Sequence, residues 1–436
     1  MQGSTCEKRV IYVENYGCTA NRYDLEIMLA YLMEAGYGLS VTPEGADLIL
    51  VNTCGVKKQT EDKVLWRLRV LNRLNKPFIV AGCLPRINLS AIERAAPDFS
   101  IAMDPQSIDE ILLAVKEAER GEKNKRLFSG EPKIKPKLPK VRTNEFVEIL
   151  QIAEGCRSTC SFCCTRFARG KLFSYPKEIL MDRIRGSVRE GVKEVWLTAQ
   201  DTGAYGRDIG TDLAEFLKDL CTVEGKFFIR VGMMNPCHVM GMLDRLIEAY
   251  RDERVFKFLH LPVQSGDDGV LRLMNRPYTV EDFKKIVYSF RKDIPQITLA
   301  TDIICGFPGE SEEAFQRSIG LIEEIRPDVL NISKFFPRPG TPAERMEQIP
   351  VQEVKERSLR LSTVFRRICH EKNRAWLNWK GEIIVDEKGK DGSWVGRNFA
   401  YKPVVVRSRK RLLGKLLQVQ VEKAFPTYLM AEIICN

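Results

Sequence analysis

Apolar positions along the chain fall into three successive patterns. Through the first 120 residues, a short apolar run, a turn containing Cys and a helically spaced segment recur. Arg9 to Asn15 carries Val10, Tyr12 and Val13 and runs into Tyr16-Gly17-Cys18; Leu25, Met28, Leu29 and Leu32 then follow at helical spacing. Asp47 to Asn52 reads as a buried strand ending at Thr53-Cys54-Gly55, ahead of a helix with Val64, Leu65, Leu68, Leu71 and Leu74. Phe78 to Ala81 ends at Gly82-Cys83. Alternating strand and helix predicts an α/β domain over residues 1–121 with a doubly wound parallel sheet. Ligands of such sheets gather beyond the carboxyl ends of the strands, where all three cysteines fall.

Pro132, Pro136 and Pro139 interrupt the next stretch, so residues 122–143 are expected to be an extended linker. Alternation then resumes over 144–350, with strands expected at Val147 to Ala153, Glu194 to Thr198, Phe227 to Gly232, Phe256 to Leu261, Ile297 to Ile304 and Val329 to Lys334. Six strands separated by helices suggest a partial (β/α)6 barrel, whose active residues sit at strand carboxyl ends. A connecting helix is expected over 351–377. Short alternating runs at Ile383 to Val385, Val404 to Arg407, Leu416 to Val421 and Tyr428 to Ile434 predict a small antiparallel β-barrel over 378–436.

No uninterrupted apolar run approaches the roughly eighteen residues of a membrane span. The charged residues before Val10 leave no apolar core of a secretory signal, so a cytoplasmic protein without membrane partners is expected. In a reducing compartment the chain's 13 cysteines point to metal or cluster ligation rather than disulfides. The net charge of +10 is concentrated: residues 122–143 hold eight Lys or Arg against two Glu, and residues 378–436 hold eleven against six acids. A polyanionic partner and a solvated basic linker both account for that concentration.

The sharpest chemical signal is Gly155-Cys156-Arg157-Ser158-Thr159-Cys160-Ser161-Phe162-Cys163, directly after the first strand of the central domain. It offers three thiolates at C-x-x-x-C-x-x-C spacing and fixes no fourth ligand. Three sulfurs on a four-iron cluster leave one iron open to bind and activate a small molecule. A zinc site with Cys164 or a distant residue as fourth ligand is the alternative, although the adjacent Cys163 and Cys164 would strain one tetrahedral ion.

This loop resembles the cluster loop of the radical S-adenosylmethionine enzymes. The resemblance implies a 4Fe-4S cluster on Cys156, Cys160 and Cys163, an open iron that chelates S-adenosylmethionine, and Phe162 beside the adenine. Ala168-Arg169-Gly170-Lys171, Ala199-Gln200-Asp201, His260 to Gly266 with Gln264, Met274-Asn275-Arg276 and Thr301-Asp302 to Glu310 narrow the likeness to the methylthiotransferases. It covers almost the whole chain. It implies Gln200, Gln264 and Asp302 as further contacts to S-adenosylmethionine, and a second 4Fe-4S cluster on Cys18, Cys54 and Cys83. It also implies a low-potential electron donor, a sulfur source, and a TRAM-like RNA-binding barrel at the end of the chain.

Within that barrel, Arg397, Phe399, Tyr401 and Lys402 combine phosphate-seeking cations with aromatics able to stack on unpaired bases. Packing of Phe399 and Tyr401 is the competing reading. The segments Tyr16 to Asp24, Val51 to Lys58 and Ala168 to Pro176 resemble the archaeal and eukaryotic branch, which implies threonylcarbamoyladenosine beside the tRNA anticodon as the substrate. Lacking a membrane tail before Asn436, the chain resembles the archaeal form. Isopentenyladenosine, a ribosomal-protein aspartate, and a zinc-stabilised RNA-binding protein without catalysis are the alternatives. Cys6, Cys164, Cys221, Cys237, Cys305, Cys369 and Cys435 follow no ligand spacing and are expected to pack.

Overall fold

The computed structural model describes residues 9–434; Cys6 and Cys435 lie outside them. The chain forms two compact units.

The first unit is built on six parallel strands: β1 (Val10–Asn15), β2 (Gly38–Ser40), β3 (Leu48–Thr53), β4 (Phe78–Gly82), β5 (Ile101–Met103) and β6 (Lys125–Leu127). Their order is β2-β1-β3-β4-β5-β6. Direction of strand addition reverses between β1 and β3, which is the switch point of a doubly wound sheet. β3 and β4 are buried along their whole length, as parallel strands covered on both faces must be.

β6 lies inside the segment expected to be a linker. It pairs with β5 through Ile101, Ala102 and Met103. The lysines beyond it are structural: Lys135 is buried on Asp24 and Glu154, both at 2.8 Å, and Lys140 on Glu26 at 2.9 Å. Lys133 pairs with Asp109 and Lys123 with Asp98. Much of this segment's positive charge is therefore matched by carboxylates of the same unit.

Two later segments join the first unit, residues 153–175 and 336–344. The first is the cysteine loop, enclosed by the two-stranded pair β8 (Ala153–Glu154) and β9 (Phe173–Ser174).

The second unit holds the partial barrel. Its strands β7 (Val147–Gln151), β10 (Glu194–Thr198), β11 (Phe228–Val231), β12 (Phe258–His260), β13 (Thr298–Cys305) and β14 (Val329–Lys334) fall where the sequence places them. They form two parallel three-stranded sheets, β7-β10-β11 and β12-β13-β14, joined by a parallel bridge between Ile229 and Val255. Helix Val351–Arg374 leads to a closed barrel of β15 (Lys380–Lys388), β16 (Ser393–Arg397), β17 (Pro403–Arg407), β18 (Leu416–Ala424) and β19 (Leu429–Ile433). This barrel contains one parallel pair, β17 with β19, among its antiparallel ones. No helix of the described residues is long and apolar enough to cross a membrane.

The small barrel docks at the amino-terminal mouth of the partial barrel. Ile384 and Tyr401 pack with Phe256, Phe258 and Ala300, residues at or near strand starts. Glu194, the first residue of β10, is buried there beside Asp386 of β15. Burial, reinforced by repulsion from Asp386, pushes the Glu194 carboxyl from its ordinary 4.5 up to about 8. The folded chain therefore holds this proton more tightly than the unfolded chain does. The resulting stabilisation is complete below pH 4.5 and is lost as pH rises through about 8. Melting temperature should fall across that window, and Glu194→Gln, neutral throughout, should flatten the fall. Superimposable melting profiles for variant and parent would refute the assignment.

Candidate functional site

Three cysteines of the first unit stand where β1, β3 and β4 end. Cys18 precedes helix Thr19–Glu34, Cys54 follows β3, and Cys83 opens helix Leu84–Ile87. Cys18 and Cys54 thus flank the switch point. Their approach depends on the neighbouring backbone: Gly82 has φ +98°, and a Cβ there would lie 2.4 Å from the Thr53 carbonyl oxygen. Asn21 organises the cysteines. Its Oδ1 accepts from the thiols of Cys18 and Cys83, each at 3.7 Å, while its Nδ2 donates to the carbonyls of Tyr16 and Thr53.

Cys156, Cys160 and Cys163 occupy the loop that follows β8. Gly155 has φ +76°, and a Cβ would fall 2.0 Å from the Lys171 carbonyl oxygen, so only glycine lets β8 and β9 close the loop's base. The Ser158 amide donates to Cys156 Sγ at 3.4 Å, the kind of bond that stabilises a thiolate ligand. Cys160, Cys163 and Phe162 are all half-buried. Helix Thr165–Arg169 then turns the chain toward the first three cysteines. Cys164 and Ala168 share a small apolar cluster with Cys83 and Ile87, and Cys164 Sγ donates to the Gly55 carbonyl at 3.6 Å. Packing is therefore what the structure gives Cys164.

A buried ion network fastens this arrangement. Arg169 Nη1 reaches Asp24 at 2.6 Å and Glu154 at 2.8 Å, and its Nη2 donates to Asn21 Oδ1 at 3.0 Å. Lys135 binds the same two carboxylates. Arg338 donates to the Gly55 carbonyl at 2.6 Å and pairs with Glu61. Burial raises the thiols of Cys54 to about 11 and Cys83 to about 12, and the Arg169 guanidinium opposes both shifts. Among the described residues, no three His, Cys, Asp or Glu side chains gather as the ligands of a single ion. Sequence spacing alone misses Asn21 and Arg169; the available signal is Asn21 and Asp24, three and six residues after Cys18 on one helix.

In the second unit, Gln200 and Asp201 follow β10. Asp201 accepts from the amides of Gly203 and Asn235, both at 3.0 Å, and faces His238 Nδ1 at 2.7 Å. Gln264 is buried with φ +74°, a strained conformation for a residue with a side chain. Its amide donates to the Asp302 carbonyl, and its own carbonyl accepts from Ile304. Asp302 Oδ1 accepts from Asn331 Nδ2 at 2.6 Å and lies 3.2 Å from His260 Nε2. Asn331 and the buried His238–Asp201 pair carry no spacing signal that sequence reading could use.

The expected RNA contacts Arg397, Tyr401 and Lys402 are all engaged within the second unit. Lys402 is buried, with Nζ on Asp328 at 2.8 Å and on Asn373 Oδ1 at 3.0 Å. Burial disfavours a charged Asp328, but the ammonium groups of Lys402 and Lys372 outweigh it and hold that carboxyl below its usual range. The Tyr401 ring lies 4.8 Å from Phe256 and 5.2 Å from Phe258. Arg397 pairs with Asp386 at 3.1 Å and stacks on Tyr401. Phe399, half-buried, packs on Trp376 and Trp379. This loop is the docking knob of the small barrel, and its charges are matched internally.

Three family models match the chain: the uncharacterized protein family UPF0004 at residues 10–104, the Radical SAM superfamily at 150–322 and the TRAM domain at 381–434. A probable threonylcarbamoyladenosine tRNA methylthiotransferase of Pyrococcus horikoshii is 45% identical over 426 residues, covering 97% of this chain and 99% of that protein. The chain belongs to this methylthiotransferase family. The human threonylcarbamoyladenosine tRNA methylthiotransferase is 38% identical, with 94% of this chain and 72% of that protein covered. Among solved structures, the radical S-adenosylmethionine methyltransferase TsrM of Kitasatospora setae superposes with a TM-score of 0.56 at 13% identity, covering 77% and 75% of the two chains. That likeness is one of fold. Membership in the radical S-adenosylmethionine superfamily implies S-adenosylmethionine and one 4Fe-4S cluster.

Arg169→Met should leave Asp24 and Glu154 buried with Lys135 as their one remaining cation, at a cost of about 3–5 kcal/mol in urea unfolding. Arg22→Met, which removes a half-exposed partner of Glu26, should cost less than about 1 kcal/mol. Equal losses for the two variants would remove the network from its central place.

Proposed function

We propose that the chain transfers a methylthio group to C2 of N6-threonylcarbamoyladenosine beside the anticodon of tRNA. The observation that carries this reading is the presence of two cysteine triplets in one compact unit. Cys156, Cys160 and Cys163 would hold the cluster that binds S-adenosylmethionine, and Cys18, Cys54 and Cys83 a second one. When bound, these groups would supply one-electron chemistry at an unactivated C–H and a carrier for sulfur. Phe162, Gln200, Gln264 and Asp302 are the proposed contacts to S-adenosylmethionine. His260 and Asn331 orient the Asp302 carboxylate through its Oδ1. Asn21 aims Cys18 and Cys83, and the Arg169 guanidinium places buried positive charge beside their sulfurs. The same reading calls for a low-potential electron donor, a source of sulfur and a cytoplasmic place of action.

The relatives' names and the TRAM match support an RNA substrate. Mass spectrometry of nucleosides from a host expressing the chain tests the base: a methylthio adduct on isopentenyladenosine instead of threonylcarbamoyladenosine overturns the substrate. Anaerobic purification tests the clusters. A brown protein with about eight irons is expected, and a colourless one with stoichiometric zinc would leave only an RNA-binding module. Cys156→Ala should abolish formation of 5'-deoxyadenosine from S-adenosylmethionine. Combined replacement of Cys18, Cys54 and Cys83 should keep that cleavage, lose about half the iron and yield no methylthiolated product. Product from the triple variant would end the sulfur-carrier assignment.

A further inference from the structure

The 398–402 loop docks one end of the small barrel, with Arg411 also reaching Glu145 beside β7, and antiparallel geometry fixes what the end away from that loop presents. β16 runs from the turn at 389–392 to the docking loop at 398–402, and β17 runs back from that loop to Arg407. The turn and the segment after Arg407 therefore lie together, about 17 Å along the strands from the knob. Ser393 pairs with Arg407, the Ser408 amide donates to the Gly392 carbonyl at 3.4 Å, and Trp394 Nε1 donates to the Ser408 carbonyl at 3.3 Å. Asp391 and Gly392 both adopt positive φ, which sets the tight turn from β15 into β16.

These loops carry Lys388, Lys390, Arg407, Arg409 and Lys410, all exposed. Among the described residues none of the five makes an ion pair, whereas Arg397 and Lys402 of the same barrel are matched by carboxylates. The nearby acids do not neutralise them: Glu387 faces Arg397, Glu145 is taken by Arg411, and Asp391 alone remains in the turn. Five unpaired cations held close together repel one another, a strain that a polyanion relieves.

We propose that this ridge of Lys388, Lys390, Arg407, Arg409 and Lys410 is the surface of the small barrel that grips the phosphate backbone of the RNA substrate. The inference rests on the tRNA reading and names its contact surface. Arg and Lys on two adjacent loops suit a backbone followed without regard to base identity, because phosphate contacts position a nucleic acid and do not read it. Sequence-specific recognition is then left to the residues around the modified base.

The test compares the full, cluster-loaded chain with a variant in which Lys388, Lys390, Arg407, Arg409 and Lys410 are all changed to Gln. Affinity for a purified tRNA is measured across a salt series. The slope of log affinity against log salt should flatten by roughly 0.7 to 0.9 for each phosphate that the variant no longer neutralises, so at least about 1.4 for two phosphates. Cleavage of S-adenosylmethionine without RNA should stay at its parental value and the melting temperature should not fall, since all five side chains are exposed and their mutual repulsion is removed. Lys380→Gln with Lys423→Gln, two exposed cations at the opposite end of the barrel, is the control and should leave the slope nearly unchanged. Equal flattening by both variants, or none by the five-fold one, overturns the ridge. Absence of tRNA binding by the unaltered chain overturns the tRNA reading and the ridge together, whereas parental binding retained by the five-fold variant overturns the ridge alone.

Discussion

Four buried charges carry the arrangement of the cysteines. Arg169 and Lys135 share Asp24 and Glu154, and each of the four comes from a different part of the sequence: the helix after Cys18, the segment after β6, the strand before the cysteine loop and the helix after it. Desolvating such ions opposes folding strongly, so the network persists only while all partners are present. Its geometry is correspondingly demanding. Because Arg169 also donates to Asn21, which accepts from Cys18 and Cys83, the position of the radical-enzyme loop is tied to that of the other cysteine set by one guanidinium. A hydrophobic contact of the same area would hold the loop without fixing its register.

Charge is divided by the fold into matched and unmatched portions. Residues 122–143 look like an RNA-seeking arm because eight cations stand against two acids. Folded, Lys135 and Lys140 are buried in ion pairs and Lys123 and Lys133 lie on surface carboxylates of the same unit. The docking loop behaves in the same way, since Lys402 and Lys372 bracket Asp328 at the mouth of the partial barrel. The net positive charge that remains available to a partner is therefore smaller, and more local, than composition suggests.

How much was legible in the sequence follows from this division. The parallel strands were readable where burial on both faces gives a continuous apolar run, as in Leu48 to Val51. Cysteine spacing was readable because ligand chemistry acts through neighbours in the chain. β6 and β16 were not, since Lys125–Leu127 and Ser393–Arg397 are short and carry charge or glycine, and their pairing energy comes from remote partners. Lys402 shows the limit most clearly. Nothing in Ala400-Tyr401-Lys402-Pro403 distinguishes a solvated lysine from one whose partner, Asp328, lies 74 residues away.

Use of the amino-terminal mouth for docking also has a functional logic. Ligands of such barrels assemble at the carboxyl ends of the strands, where Gln200, Gln264 and Asp302 stand. A domain seated on the opposite mouth closes it with Tyr401, packed on Phe256 and Phe258 of the partial barrel, and leaves the carboxyl end unobstructed. Arg230, stacked against Trp196, Phe258 and Tyr401, supplies the cation that makes this plug more than an apolar contact. The small barrel can then engage a large substrate without standing in the path of the chemistry. On the proposed ridge, its affinity for that substrate and its grip on the enzyme would be set by different residues, so either could change without the other.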